Sequence, residues 1–229
     1  MTADEQVYVQ ALALGIDPAW RRRTDGERLE DGRLFGAAAA IAEFGGVRSI
    51  SYSSIGLEPG VDLLFWRMAP SVEALESAAA ALLRAGLGPW LTLRHSLIGR
   101  IGPSQYVRKP TDQEQSLFDG ERSRYLVVYP FTKSTDWYLL SKEARQGVMN
   151  EHMRVGHGYP TVRQALAYSF GLDSQDFVVA YETDDLVAFG DLVRALRGTE
   201  IRRSTVSDNP ILLGIRRSMD EILALLGAG

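Results

Sequence analysis

The chain has no cysteine, which excludes a disulfide framework, a thiolate metal site and a cysteine nucleophile together. It also lacks a long apolar run. Nothing approaches the ~20 residues that span a bilayer, and the start, MTADEQ, has no basic segment leading into an apolar core. A soluble cytoplasmic protein without membrane association is therefore expected. Basic patches are missing as well: the net charge is −4, with lysines and arginines scattered along the chain, so no nucleic-acid footprint is expected. There is no P-loop, no GxGxxG following a strand, no HExxH and no GxSxG elbow.

What remains is ordinary globular material, 229 residues that are 45% apolar and 24% charged, enough for one large domain or two small ones. Read for period, the chain falls into two similar halves. In the first, strands are expected at 7–14, 47–56, 61–68 and 90–102, with helices at 26–44 and 71–88. Residues 103–122 are polar and hold Pro103, Pro110 and Gly120, which suits a linker. In the second, strands are expected at 124–131, 162–171, 176–183 and 210–217. Helices are expected at 141–156, with Ser141 as N-cap, and at 185–198, and a short helix, MDEILALL, closes the chain. IGLEPGVDLLFW (55–66) can be laid over FGLDSQDFVVAY (170–181) with one gap. The fold class expected is α+β, a tandem duplication of a ferredoxin-like β-α-β-β-α-β unit, with halves at 1–108 and 109–229.

Two of the three histidines lie in NEHMRVGHGYP (150–160). On a helix, His152 and His157 would point about 140° apart at 100° per residue, and side chains five positions apart do not meet. Gly156 and Gly158 flank His157, so the helix should end near it. A metal ion shared by this pair is disfavoured. His152 lines up with Val148, Met149 and Val155, which predicts a buried face, and a histidine there is by default a satisfied core residue. His95, within a strand, has the same default.

Five ordered blocks change that default: YPFTKSTDWYLL (129–140), NEHMRVGHGYP, FGLDSQDFVVAYETDDL (170–186), LVRALRGTE (192–200) and NPILLG (209–214). In order and spacing they resemble the chlorite dismutase superfamily, and within it the coproheme decarboxylases of bacterial haem synthesis. DPAWRR (17–22) and IGLEPGVDLLFWRMAPSVEAL add a weaker match in the first half. The resemblance implies paired ferredoxin-like units of the dimeric α+β barrel type, assembled as a homo-oligomer, usually a homopentamer. The implied cofactor and substrate is iron coproporphyrin III (coproheme), with haem b as product and hydrogen peroxide as co-substrate.

Carried over position by position, the resemblance makes His152 the proximal ligand to iron. A neutral imidazole can bind through one nitrogen while its other nitrogen finds an acceptor, and Glu200 falls on the carboxylate with that part. Tyr129 and Lys133 fall on the tyrosine and lysine beside the reacting propionates. The implied mechanism passes an oxidising equivalent from peroxide-treated coproheme to Tyr129. The tyrosyl radical removes hydrogen from a propionate, which loses carbon dioxide and becomes vinyl, and two rounds give haem b. Lys133 supplies a cation for the carboxylate and a possible proton. Arg197 falls on an arginine that contacts a propionate, where a guanidinium can bind bidentately. Taken alone, Tyr129 reads as a strand aromatic, Lys133 as a loop lysine and Glu200 as a surface carboxylate past a helix.

The distal position separates the activities within the family. Chlorite dismutases place an arginine there and many decarboxylases a glutamine. Counting back from Gly171 lands on Gln164, counting forward from His152 lands on Ala165, and Arg163 is adjacent. Gln164 is taken as the distal residue. Phe131 stands where many relatives have methionine, and the segment between Lys133 and Trp137 is shorter than in several. The leading expectation is peroxide-dependent oxidative decarboxylation of coproheme. The alternatives are a chlorite dismutase or weak peroxidase, and a haem-binding or sensing protein without catalysis.

Overall fold

The computed structural model describes residues 7–102, 106 and 122–229. The expected linker and the expected boundary between residues 108 and 109 fall outside the described residues, apart from the linker positions Tyr106 and Arg122. The chain divides into two compact units, Met1–Ile101 with Leu213–Gly229, and Gly102–Leu212.

The first unit opens with strand β1 (Val7–Ile16), followed by helix α1 (Asp25–Phe44), β2 (Arg48–Glu58), β3 (Val61–Ala69), helix α2 (Val72–Arg84) and β4 (Leu91–Ile101). β1 lies between β4 and β3, β2 lies outside β3, and all these pairings are antiparallel. Pairs such as Leu12 with Phe65 and Leu14 with Leu63 turn one apolar face of this sheet toward the helices. Ser71 caps α2 by accepting the Ala74 N–H at 3.2 Å, and the helix buries Leu75, Ala78 and Leu82. The core joins Leu12, Leu14, Leu63, Phe65 and Leu82 to Phe35 and Trp20. The indole of Trp20 donates to Asp31 at 2.8 Å, so a buried polar N–H is satisfied.

The second unit runs β5 (Tyr125–Lys133), α3 (Thr135–Leu139), α4 (Lys142–Gly156), β6 (Arg163–Tyr168), β7 (Phe177–Thr183), α5 (Leu186–Arg197) and β8 (Thr205–Ser207). Its sheet order is β6-β7-β5-β8, again antiparallel. In both units the chain-first strand and the chain-third strand are central neighbours. Ser141 caps α4, accepting the Ala144 N–H at 3.2 Å as its position predicts. Asp185 caps α5 by accepting from Val187 and Ala188. The one-turn helix α3, capped by Ser134, is not expected from sequence. It is too short to establish a 3.6-residue period.

The last strand corrects the sequence reading. The segment expected to complete the second half forms β9 (Leu212–Arg216), and β9 pairs with β2 through Tyr52 with Arg216 and Ser53 with Ile215. Ser54 donates to the Leu213 carbonyl at 2.8 Å and Ser51 to the Arg217 carbonyl at 2.7 Å. Gly214 is needed because a Cβ there would lie 2.6 Å from the Tyr52 Cβ. The final helix α6 (Met219–Leu226) places Ile222 and Leu223 in the first unit's core. In the second unit the outer strand is instead the short β8, whose Thr205 and Ser207 pair with Lys133 and Thr132. Strand periodicity cannot show which sheet a segment joins, and three residues are too few to show it at all.

Candidate functional site

The site is built on one face of the second sheet. Tyr129 pairs with Val179, Val179 with Leu166, and Tyr181 with Gln164. Residues directly opposite in an antiparallel ladder share a face, as do residues two apart. Tyr129, Tyr181, Val179, Gln164 and Leu166 are therefore on one side. Tyr129 and Tyr181 stack with centroids 5.9 Å apart and planes at 27°. Phe189, Leu192 and Leu196 of α5 pack against this face. Burial first, then the hydrogen-bonded Tyr181 beside it, holds the Tyr129 phenol well above the usual tyrosine range, so it stays protonated.

Gln164 and its two rivals are separated by this geometry. Ala165 pairs with Ala180 and is buried on the opposite face. Arg163 pairs with Glu182 on that opposite face too. Its guanidinium donates to Ser123 at 2.8 Å and meets the fully buried Glu182 carboxylate at 3.3 Å. Glu182 also takes an ion pair from Arg122 at 2.8 Å. Of the three adjacent residues, Gln164 is the one on the face of Tyr129.

Lys133 ends β5, so it is a buried strand residue and not the loop lysine that the sequence suggests. Its Nζ donates to Thr205 at 3.2 Å and lies 5.0 Å from the Trp137 ring centroid and 5.5 Å from that of Phe131, cation–π distances. Its backbone N–H donates to Asp176, which also accepts from the Tyr138 hydroxyl. Burial, and then the charge of Arg202, push the lysine down to about 8. Arg197 is the last residue of α5, its side chain half exposed, 3.9 Å from Asp208. Asp208 pairs far more closely with Arg202, at 2.6 Å. The charges of Arg197 and Asp208 both reach the Tyr129 phenol.

His152 lies on α4, but the expected buried face is only partly covered: none of the residues of α4 is buried, and Val148, Met149, His152 and Val155 are all half-buried. The imidazole is nonetheless desolvated. Its Nδ1 is buried without a hydrogen-bond partner, and burial followed by the charge of Lys133 pushes its pKa down to about 4. It is a neutral imidazole at physiological pH. The Glu200 bond implied by the resemblance is not made at Nδ1. The Glu200 carboxylate lies 3.6 Å from Arg203 and is largely exposed, while its backbone N–H donates to Glu151 at 3.1 Å. Glu151 is the carboxylate whose charge His152 feels. The turn that begins at Glu200 fixes its backbone to α4 and leaves its side chain outside. His157 is the exposed C-cap of α4, its N–H bonded to the Met153 carbonyl, so the helix ends where the glycines suggest. His95 is a half-buried residue of β4 opposite Ala13.

Ring stacking joins Tyr181 to Tyr129 and ion pairs join Arg197 and Arg202 to Asp208, and the charges of Arg197, Arg202 and Lys133 act in turn on Tyr129, Lys133 and His152. Sequence reasoning left out Tyr181, Trp137, Arg202 and Asp208. The pair in IRRS after RGTE offered a cue for Arg202, whereas Asp208 had none. A buried imidazole nitrogen without a partner, a buried phenol and three cations form a donor set that fits a ligand with one metal centre and several carboxylates. Among the described residues, no cluster of three or more His, Asp or Glu side chains is placed to hold a metal ion by itself.

The family model described as chlorite dismutase matches residues 31–217. The chain belongs to the chlorite dismutase family. It is 32% identical over 184 residues to the coproheme decarboxylase of Mycolicibacterium smegmatis, covering 76% of this chain and 75% of that one. It is 27% identical over 155 residues to the chlorite dismutase of Ideonella dechloratans, covering 62% and 53%. A point variant of the chlorite dismutase of Candidatus Nitrospira defluvii superposes with a TM-score of 0.89 at 29% identity, covering 98% of this chain and 96% of that one. Members of one family thus carry both names, and the choice between them falls on the site. Among the described residues no helix is long and apolar enough to cross a membrane.

Proposed function

We propose that this family member is a peroxide-dependent coproheme decarboxylase, converting two propionates of iron coproporphyrin III to vinyl groups and giving haem b. The observation that carries the reading is the pairing of Gln164 with Tyr181 on the Tyr129 face, while Arg163 is engaged with Ser123 and Glu182 on the other. The family resemblance puts an arginine at the distal position of a chlorite dismutase, where it would hold the oxyanion. Here the adjacent arginine is committed elsewhere, and a neutral amide shares the face of an oxidisable phenol. The duplicated ferredoxin-like architecture belongs to the same reading, supported by the common strand order of the two units.

In this reading His152 is the iron ligand, neutral and able to offer a ring nitrogen without first losing a proton. Glu151, one residue before it, is the carboxylate whose charge acts on the imidazole. When bound, the ferric porphyrin together with hydrogen peroxide supplies the oxidising equivalents. Each round is a two-electron oxidation: a propionate, one peroxide and one proton give a vinyl group, carbon dioxide and two waters. Tyr129 relays the oxidation. It passes an electron and its phenolic proton away, then takes a hydrogen atom from the propionate carbon next to the ring. The buried setting keeps the phenol protonated beforehand and excludes water that would quench it. Arg197 holds the reacting carboxylate, and Lys133, poised at about 8, holds it or donates a proton near neutral pH.

Tyr129→Phe tests the assignment. The substitution keeps the stack on Tyr181 and removes only the hydroxyl. It is expected to bind ferric coproheme within about threefold of the wild type and to form no vinyl product when peroxide is added. Mass analysis showing normal carbon dioxide loss from the variant would sink the role given to Tyr129.

A further inference from the structure

Asp208 has no part in the chemistry above, yet it sits at the centre of the site's cations. Its carboxylate lies 2.6 Å from Arg202 and 3.9 Å from Arg197, and its side chain is 20% exposed. The two arginines are more open, 41% for Arg202 and 55% for Arg197. The asymmetry of the distances separates their parts. Arg202 is fixed in a close, charge-assisted contact. Arg197 is only loosely tethered, and from the end of α5 its charge acts on the Tyr129 phenol, as does that of Asp208.

We infer that Asp208 is a placeholder carboxylate that occupies Arg197 when no propionate is present and must be displaced by the substrate, an inference that rests on the decarboxylase reading. Before substrate enters, Asp208 screens the arginines and tethers Arg197. A propionate arriving beside Tyr129 competes with Asp208 for Arg197. When that propionate has left as carbon dioxide, the competitor is gone and the Arg197–Asp208 pair reforms. The vinyl group left behind has no charge with which to displace it. A four-propionate porphyrin must therefore displace Asp208 from Arg197 and a two-propionate porphyrin need not, so Asp208 holds the substrate's affinity down without touching that of the product. A buried carboxylate held by two cations is ordinarily a structural ion pair. What distinguishes this one is that one arm, the contact with Arg197, is long and exposed.

The test is isosteric. Asp208→Asn keeps the shape and can still accept a hydrogen bond from Arg202, but it removes the charge that competes. Metal-free coproporphyrin III, with four propionates, and protoporphyrin IX, with two, are titrated into wild-type protein and the variant by fluorescence quenching, at low and high salt. One unit charge removed at a few ångströms near a protein surface predicts about tenfold tighter binding of coproporphyrin III to the variant, with protoporphyrin IX changed by less than about twofold. The gain should shrink with added salt. Equal weakening of both porphyrins, or no change in either, overturns the placeholder role. An unfolded Asp208→Asn protein, judged by circular dichroism, is replaced by Asp208→Ser, for which the same ratio of the two affinities is required. Failure of the wild-type protein to bind coproporphyrin III overturns the functional reading itself, and is thereby told apart from failure of the placeholder alone.

Discussion

The two units share a strand order and differ in what fills the space between sheet and helices. In the first, Leu12, Leu14, Leu63 and Phe65 face Phe35, Trp20 and Leu82, a closed apolar core. In the second, the corresponding face carries the stacked phenols of Tyr129 and Tyr181, with Gln164 beside them and Lys133 at the strand end. Its helix α4 has no buried residue, yet holds a desolvated histidine. One copy of the architecture has its interface spent on stability. The other has it furnished with groups that are costly to bury unless they find a partner. The proposed function resides in the second, whose groups are held by the same strand pairing that makes the first rigid.

The comparison can be broken at either interface. The largest effect on stability is expected in the first: Phe65→Ala removes a ring that is 2% exposed and should cost about 3–5 kcal/mol. In the second unit, Tyr181→Phe keeps the stack on Tyr129 and should cost about 1 kcal/mol. Urea denaturation of both variants measures the contrast, and comparable losses would mean that the two interfaces are not specialised as described.

A pH profile sharpens the difference further. His152 has an ordinary pKa of 6.5 in the unfolded chain and about 4 when folded, so between these values the unfolded state binds more protons. Stability should fall as pH drops from about 6.5 toward 4, by at most about 1.4 kcal/mol per pH unit from this one group, and no further below that. His152→Gln should remove that part of the slope. A variant with an unchanged profile would show that His152 is not held neutral by burial.

Much of this was legible in the sequence. The β-α-β-β-α-β order of the first unit, and that of the second up to its last strand, followed from hydrophobic period and turn residues, and Ser141 caps its helix as its position predicts. The pairing of β9 with β2 was not legible, because a strand's own pattern carries its faces and not its neighbour. Side-chain partners were the other loss. The family resemblance marked Tyr129, Lys133, His152 and Arg197, but it could not tell that Glu200 would turn toward Arg203, or that Asp208 would bring Arg202 and Arg197 together. Counting alone left Gln164 and Ala165 open, and register puts Gln164, not Ala165, on the face of Tyr129.

The most direct test of the functional account is to add ferric coproheme to the purified protein, record the absorption spectrum, titrate hydrogen peroxide and follow the porphyrin by mass. The account predicts binding followed by stepwise loss of two carbon dioxide units. Tight binding with the porphyrin mass unchanged would contradict it and leave a haem-binding or peroxidase protein in its place.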